Sequence, residues 1–198
     1  MPRDLMGDEK DRQERDEEVL ALAHRKVCEV FDALGIPYKI FFHPPIFSAA
    51  EREEKQVEVD GLICKNLFLR NKDKSRYYLY TLPIDKRADL AGLQKALGET
   101  RLSFGDADAL WDMLHIHPGS VSLLNIIGAA SPLCEPSFLS VKFLVDAEVL
   151  DVPGIGVHPN DNGATIVFSP DRLPEIFARY GADFEFISLC DSADNNTV

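Results

Sequence analysis

A lysine and the asparagine that follows it interrupt an apolar run between Leu62 and Leu69, and this is the most informative stretch of the chain. Side chains alternate between the two faces of a strand, so Lys65 is expected to share a face with Ile63 and Leu67. Both faces are apolar, and burying an unpaired ammonium group costs roughly several kcal/mol. Two interpretations follow: a salt bridge to one of the chain's many carboxylates, or an anionic ligand in a cleft.

Three of the five histidines precede a proline, in His43-Pro44-Pro45, in His117-Pro118-Gly119-Ser120 and in the segment 158–162. Proline biases the preceding residue toward extended geometry and makes such loops stiff. A stiff loop can aim backbone N–H groups at a developing oxyanion. The alternative is that each segment is simply a turn.

Other chemistries find weaker support. Ser120 lacks the G-x-S-x-G form of a nucleophile elbow, and Cys64 is expected to share a strand face with Phe68, which suits a buried and inert thiol. No phosphate-binding or dinucleotide-binding glycine motif is present. No histidine pair has the i, i+4 spacing of a helical metal site, so we expect no metal among His43, His115, His117 and His158.

Composition predicts one ordinary globular domain. The chain has 198 residues, of which 45% are hydrophobic and 27% charged. No apolar run approaches the ~20 residues that span a bilayer, so no membrane partner is expected. The charged N-terminus has no signal-peptide core, and the four cysteines are far apart, which fits a reducing, cytoplasmic location.

Charge is distributed unevenly along the chain. The net charge is −12, yet residues 65–101 carry nine basic and four acidic groups, a local excess of five positive charges. Such a patch could hold a few phosphates at one end of an RNA but could not cover a duplex, so no DNA partner is expected. The RNA-binding candidates are Arg70, Lys72, Lys74 and Arg76, and the alternative is a solvated, lysine-rich hairpin.

Periodicity divides the chain into a flexible extension (1–16), a domain (17–190) and a flexible tail (191–198). We predict helices over 17–34, from Ser48, over 89–97, after Asp106 and from Ser169 to Gly181, and strands over 37–42, 62–69, 77–82, 101–104, 141–145, 164–168 and 184–189. The segment 153–162 is predicted as a loop. Because strands and helices intermix without regular alternation, the expected fold class is α+β (α/β) with a mixed sheet.

Five motifs occur in a specific order: His43-Pro44-Pro45, Lys65-Asn66-Leu67-Phe68-Leu69, Leu102-Ser103-Phe104, Pro118-Gly119-Ser120-Val121-Ser122, and His158-Pro159 with Asn162 and Thr165. This series resembles the aminoacyl-tRNA deacylases related to the editing insertion domain of bacterial prolyl-tRNA synthetases, the YbaK/ProX superfamily. The likeness covers roughly residues 20–190. The Lys65 motif most resembles the freestanding editors that remove alanine from proline tRNA.

The resemblance implies a single compact domain around a mixed, partly barrel-like sheet surrounded by helices. It also implies hydrolysis in trans of the ester that links a wrong amino acid to tRNA, without metal or cofactor. A synthetase pocket discriminates by only ~1–3 kcal/mol per methylene, which is the physical reason for a second, correcting site. The implied partners are mischarged proline tRNA and prolyl-tRNA synthetase.

The resemblance also assigns roles to residues. Lys65 would grip the terminal phosphate or ribose, and the loop with Gly119 and Ser120 would present backbone N–H groups to the ester carbonyl. Water would attack, helped by the ribose hydroxyl. The implied substrate-binding residues are His43, Asn66, Pro118, His158 and Asn162.

The chain departs from the family pattern near that loop. His115 stands where a glycine is usual, Leu123 replaces a usual proline, and Asp161 adds a carboxylate. A Cβ at 115 removes the easy access to positive φ. These departures leave open a catalytically silent tRNA-binding or synthetase-binding module. A thiol enzyme or amidohydrolase using Cys64 is a third possibility.

Overall fold

A computed structural model describes residues 25–46, 51, 58–129 and 140–189. The predicted extension, the tail and the helix start at Ser48 lie outside these residues. Its strands are β1 (Tyr38–Phe42), β2 (Leu62–Asn71), β3 (Tyr77–Pro83), β4 (Leu102–Phe104), β5 (Val141–Asp146), β6 (Ile155–Val157), β7 (Ala164–Phe168) and β8 (Phe184–Ile187). Its helices are α1 (25–34 in the described part), α2 (Leu90–Ala96), α3 (Ala107–Leu114), α4 (Asn125–Ala129) and α5 (Leu173–Tyr180).

The described strands form a mixed sheet in the order β1-β7-β6-β2-β3-β5-β8, with β4 paired to β2. The pairs β1–β7, β7–β6, β2–β3 and β2–β4 are antiparallel, whereas β6–β2, β3–β5 and β5–β8 are parallel. The α+β class with a mixed sheet is therefore confirmed.

The two faces of the central strands bury separate apolar clusters, as the alternation in β2 predicts. Phe68 and Cys64 belong to the larger cluster, which α1, α3, α4 and α5 cover. Leu69 belongs to the smaller cluster, with Leu67 packed against it and Leu93 of α2 inside it. Helices on both faces bury β3 along its whole length.

Turn and cap signals predicted most element boundaries. Asp106 and Asp89 accept hydrogen bonds from Ala109 N and Gly92 N at 2.9 Å, as N-caps do. Gly181 ends α5 with φ +64°, the left-handed conformation that glycine adopts without strain.

Four short elements differ from the predictions. The loop predicted over 153–162 contains β6, whose pairing with β2 and β7 is supplied by strands distant in sequence. The helix predicted from Ser169 begins as a 3₁₀ turn at Pro170–Arg172 before α5. A second 3₁₀ turn, Ala147–Leu150, and α4 were not predicted.

Candidate active site

The middle of β2 has an open edge. One edge of β2 pairs with β3, and the other pairs with β6 at Leu62–Ile63 and with β4 at Leu69–Asn71. Between these two ladders, no described strand lies along Cys64–Phe68, a length of about 13 Å. Lys65 lies in this stretch of β2.

Lys65 is half-buried and has no anionic partner in the described part of the chain. Its Nζ donates a hydrogen bond to the backbone carbonyl of Ile84 at 2.8 Å, and no described carboxylate lies within 4 Å of it. By contrast, Lys86 Nζ lies 2.9 Å from Asp146 and 2.7 Å from Glu148. The salt-bridge interpretation of Lys65 therefore finds no support among the described residues.

Asn66 points to the opposite face of β2 and holds a loop. Its Nδ2 donates to the carbonyl of Val121 at 2.9 Å, and its Oδ1 accepts from Thr81 Oγ1 at 2.7 Å. Thr81 is fully buried, so this amide is fixed from both ends. Asn66 thereby fastens the segment that follows Ser120 to the strand that carries Lys65.

His158 lies at the same face of the sheet as Lys65. A Cβ on Gly156 would lie 2.7 Å from Ile63 Cδ1 and 3.1 Å from Thr165 Cγ2, so these three residues share a face. Alternation along β2 and beyond the end of β6 places Lys65 and His158 on that face as well. Because β6 runs parallel to β2 and ends at Val157, His158 leaves the sheet beside the opening.

Both histidines of this face are oriented by hydrogen bonds. A carbonyl can only accept, so His43 Nδ1–H donates to Pro44 O and His158 Nδ1–H donates to Ala164 O, each at 2.9 Å. In neutral His43, Nε2 then accepts from Thr165 Oγ1 at 2.9 Å. The two ring centroids lie 6.2 Å apart, so the structure brings His43 and His158 together.

The segment His117–Ser120 is a tight turn. Ser120 N donates to His117 O at 3.2 Å, and Gly119 has φ +100° after Pro118, the pattern of a type II turn. The Ser120 N–H is therefore engaged within the turn, whereas no described residue accepts a hydrogen bond from the Gly119 N–H. Of the two N–H groups expected to face the oxyanion, only that of Gly119 has no hydrogen-bond acceptor among the described residues.

His115 adopts the backbone conformation that a glycine would supply. It caps α3 with φ 50° and ψ 44°, and its N–H donates to Trp111 O at 2.9 Å. A left-handed conformation costs a residue with a Cβ about 1–2 kcal/mol. His115 therefore holds a conformation that glycine would reach without this cost. Leu123, the other departure in this segment, is fully buried in the larger apolar cluster.

A buried amide pair joins the two loops around the site, and sequence reasoning missed it. Asn125 Nδ2 donates to Asn160 Oδ1 at 2.6 Å, and Asn125 Oδ1 accepts from Ser122 N at 2.7 Å. Asn160 Nδ2 reaches Leu124 O at 3.3 Å. The signal was available, because Asn125 interrupts an apolar run just as Lys65 does.

Asn162 has a positioning contact. Its side chain is buried, and its Oδ1 accepts a hydrogen bond from Ile46 N at 2.7 Å. The contact ties the segment 158–162 to the chain just after His43. Substrate contact by Asn162 stays a prediction.

The basic hairpin has a defined tip. Asn71 Oδ1 accepts from Ser75 N at 3.0 Å and from Arg76 N at 3.2 Å, and Lys72 is exposed beside them. Lys65 and Asn71 are six positions apart on β2, which corresponds to about 20 Å. A polynucleotide held at both places would have to extend along β2.

Carboxylates partly neutralise this hairpin. Lys74 Nζ lies 3.3 Å from Asp106, with both side chains about half exposed, and Arg76 Nη1 lies 3.1 Å from Glu99. The Nε of Arg70 is buried without a hydrogen-bond partner. RNA binding by the four basic residues stays a prediction.

The described residues give little support to a thiol enzyme or to a metal site. Burial raises the pKa of Cys64 to about 12, and the nearby Asp146 carboxylate adds to the effect, so the thiol stays protonated at neutral pH. No three His, Cys, Asp or Glu side chains within the described ranges are grouped as metal ligands. Those ranges also include no helix long and apolar enough to cross a bilayer.

Comparison with known proteins identifies the family. The aminoacyl-tRNA editing domain model matches residues 43–176. The chain is 32% identical to the prolyl-tRNA editing protein ProX of Acetoanaerobium sticklandii, over 84% of this chain and 98% of that protein. It is 31% identical to prolyl-tRNA synthetase associated domain-containing protein 1 of Mus musculus, over 70% of this chain and 80% of that protein.

Solved structures share the fold. Hypothetical protein APE2540 superposes with a TM-score of 0.61 at 20% identity, covering 81% of this chain and 97% of that one. A candidate trans-editing enzyme for prolyl tRNA synthetase gives 0.57 at 19% identity, covering 83% and 95%. The chain belongs to the aminoacyl-tRNA editing domain family and is an aminoacyl-tRNA deacylase, as its motifs predicted.

Proposed function

We propose that this protein edits in trans, removing alanine from mischarged proline tRNA by attack of water on the aminoacyl ester. The observation that carries the proposal is Lys65, a half-buried cation whose described hydrogen-bond acceptor is a neutral carbonyl. An ammonium group in that setting gains most from an incoming anion. The terminal phosphate of a tRNA supplies such an anion.

The turn after α3 supplies the second element of the mechanism. As water attacks the ester carbonyl, negative charge develops on the carbonyl oxygen, and a preorganised N–H stabilises it. Gly119 N–H takes this role, because the turn already uses Ser120 N–H. The bond from the carbonyl carbon to the ribose oxygen then breaks, and that oxygen takes up a proton as alanine leaves.

Orientation of the ester comes from the face that carries Lys65. Lys65 holds the phosphate or ribose, while His43 and His158 line the space for the aminoacyl side chain. Their hydrogen bonds to backbone carbonyls fix both rings, so the pocket keeps one shape. A fixed pocket that accepts alanine and rejects the larger proline provides the discrimination that editing requires.

The partner in this proposal is mischarged proline tRNA, with prolyl-tRNA synthetase as the source of the error. The basic hairpin then contacts phosphates farther along the acceptor end. The name of the Acetoanaerobium sticklandii relative, a prolyl-tRNA editing protein, supports this choice of tRNA. We place the activity in the cytoplasm, where charged tRNA is used.

Hydrolysis of three charged forms of proline tRNA tests the proposal. Alanyl-, cysteinyl- and prolyl-tRNA with the same proline acceptor stem are incubated with the protein, and release of the amino acid is followed. We expect rapid release of alanine and survival of prolyl-tRNA. Faster release of cysteine than of alanine would identify cysteinyl-tRNA as the preferred substrate. Intact esters in all three cases, with RNA still bound, would favour the catalytically silent module.

Gly119→Ala is expected to lower the hydrolysis rate about 10²-fold. A Cβ at φ +100° is strained, so the turn shifts and its N–H loses alignment with the ester oxygen. The measurement is single-turnover hydrolysis of the preferred substrate. Gly98→Ala is the matched control, because Gly98 also has positive φ, +66°, but lies beyond α2 with nothing within 4 Å of a Cβ. Equal losses in both variants would show that strain alone explains the effect.

Blocking the Cys64 thiol is expected to leave hydrolysis unchanged. The thiol is buried and its pKa is raised to about 12, so little thiolate exists at neutral pH. Cys64→Ala should hydrolyse the ester at the wild-type rate, and iodoacetamide should slow neither protein through this residue. Loss of turnover in Cys64→Ala at unchanged melting temperature would restore the thiol-enzyme hypothesis.

A further inference from the structure

A stacked pair of aromatic rings lies next to the turn that carries Gly119. The rings of Trp111 and His117 are nearly parallel, at 18°, with centroids 4.6 Å apart. His117 is exposed and Trp111 is half-buried. The pair therefore offers a flat, rigid aromatic surface at the edge of the proposed site.

The position of this pair is fixed by the same turn that presents the Gly119 N–H. His117 is the first residue of the turn and Ser120 the last, so their Cα atoms lie within about 7 Å of each other. Trp111 is anchored on α3, whose Leu110 and Leu114 are buried in the core. Whatever binds at the Gly119 N–H lies beside the aromatic pair.

The backbone before the pair is held in a costly conformation. His115 is left-handed, and its ring meets Trp111 edge-on at 5.7 Å and 90°. The left-handed residue ends α3 and turns the chain back. His117 therefore lies over the indole of Trp111, which is one helical turn before His115. Strained residues of this kind persist where the surrounding structure constrains them.

We propose that His117, supported by Trp111, is the stacking platform for the terminal nucleobase of the RNA substrate. This inference rests on the proposed function. The ester and the terminal base are attached to the same ribose, so a substrate whose carbonyl meets Gly119 N–H carries its base within one sugar of His117. Bases stack on aromatic side chains irrespective of sequence, which suits a terminal nucleotide that all tRNAs share.

The chain has one tryptophan, so selective excitation reports on Trp111 alone. Wild-type protein is titrated with AMP, with the trinucleotide CCA, and with ribose 5-phosphate, which has a phosphate but no base. We expect saturable changes in fluorescence with AMP and CCA and none with ribose 5-phosphate. Equal responses to AMP and ribose 5-phosphate would overturn the platform.

Three variants of the full chain separate stacking from a general structural effect. His117→Ala should weaken AMP binding and raise the KM for aminoacyl-tRNA by about 10-fold, with kcat nearly unchanged, since stacking binds ground state and transition state alike. His117→Phe retains an aromatic face and should restore both. Phe104→Ala, which removes another exposed aromatic ring, should change neither. Unchanged AMP affinity and KM in His117→Ala would contradict the proposal.

The outcomes also distinguish this inference from the proposed function. Base-dependent quenching without hydrolysis of any ester would leave the platform standing and refute editing. If instead His117→Ala hydrolyses alanyl-tRNA at the wild-type rate and AMP does not quench Trp111, editing would stand and the platform would be refuted.

Discussion

Lys65→Met is expected to lower hydrolysis of the mischarged ester about 10³-fold while leaving the melting temperature equal to or above that of the wild type. The ammonium group of Lys65 is half-buried and has no described carboxylate partner, so in the resting protein it bears a desolvation cost without a counter-charge. Methionine has a similar length and no charge. Folding therefore loses little, whereas the substrate phosphate loses its cation.

Single-turnover hydrolysis and thermal unfolding, measured on the same preparations, test this separation. Lys65→Arg keeps the positive charge but distributes it over a planar guanidinium group. The fixed donor geometry of that group does not fit one phosphate oxygen together with the Ile84 carbonyl, so Lys65→Arg should recover activity only in part. Lys95→Met is the matched control, because Lys95 is an exposed lysine in the last turn of α2. Wild-type turnover in Lys65→Met would remove Lys65 from the mechanism. A large fall in melting temperature would show that its role is structural.

Alternation along one strand was enough to predict the unusual setting of Lys65. The period of two in β2 placed Leu67 and Leu69 on one face and Phe68 on the other, and two separate clusters confirm it. The hairpin boundaries followed from the polar turn, where Asn71 binds the backbone of Ser75. These features depend on residues close in sequence, which is why sequence reasoning reached them.

The features that escaped prediction depend on distant partners. β6 has only three residues, lies between a Pro-Gly pair and His158, and exists because β2 and β7 flank it. The Asn125–Asn160 amide pair joins residues 35 positions apart. Local pattern marks such a polar residue as unusual but does not say which distant group it meets.

Use of the Ser120 N–H inside its own turn also escaped prediction, although its partner, His117 O, is close in sequence. The sequence Pro118-Gly119 predicts a tight turn, yet which N–H groups the turn leaves available depends on its type. A positive φ at Gly119 identifies a type II turn and assigns the accessible donor to Gly119. The residues of the candidate site could therefore be named from the sequence, whereas which N–H group the turn leaves accessible follows from the three-dimensional structure.

Asp146→Ala is expected to destabilise the fold by about 3–5 kcal/mol, the largest stability effect among these changes. Asp146 is buried, and its carboxylate accepts from Tyr80 OH at 2.6 Å, from Lys86 Nζ at 2.9 Å and from Glu148 N at 3.1 Å. Tyr80 is fully buried as well, so alanine leaves its hydroxyl without this acceptor and leaves Lys86 without its buried counter-charge. Thermal unfolding should show a fall on the order of 10 °C.

The neighbouring carboxylate provides the comparison that identifies burial as the cause. Glu148 also pairs with Lys86, at 2.7 Å, but its side chain is 61% exposed, so Glu148→Ala should cost no more than about 1 kcal/mol. Tyr80→Phe removes the hydroxyl and the need for an acceptor together, and should therefore cost less than Asp146→Ala. Equal destabilisation by Asp146→Ala and Glu148→Ala would mean that the attraction to Lys86, rather than the buried polar groups left unsatisfied, sets the energy of this network.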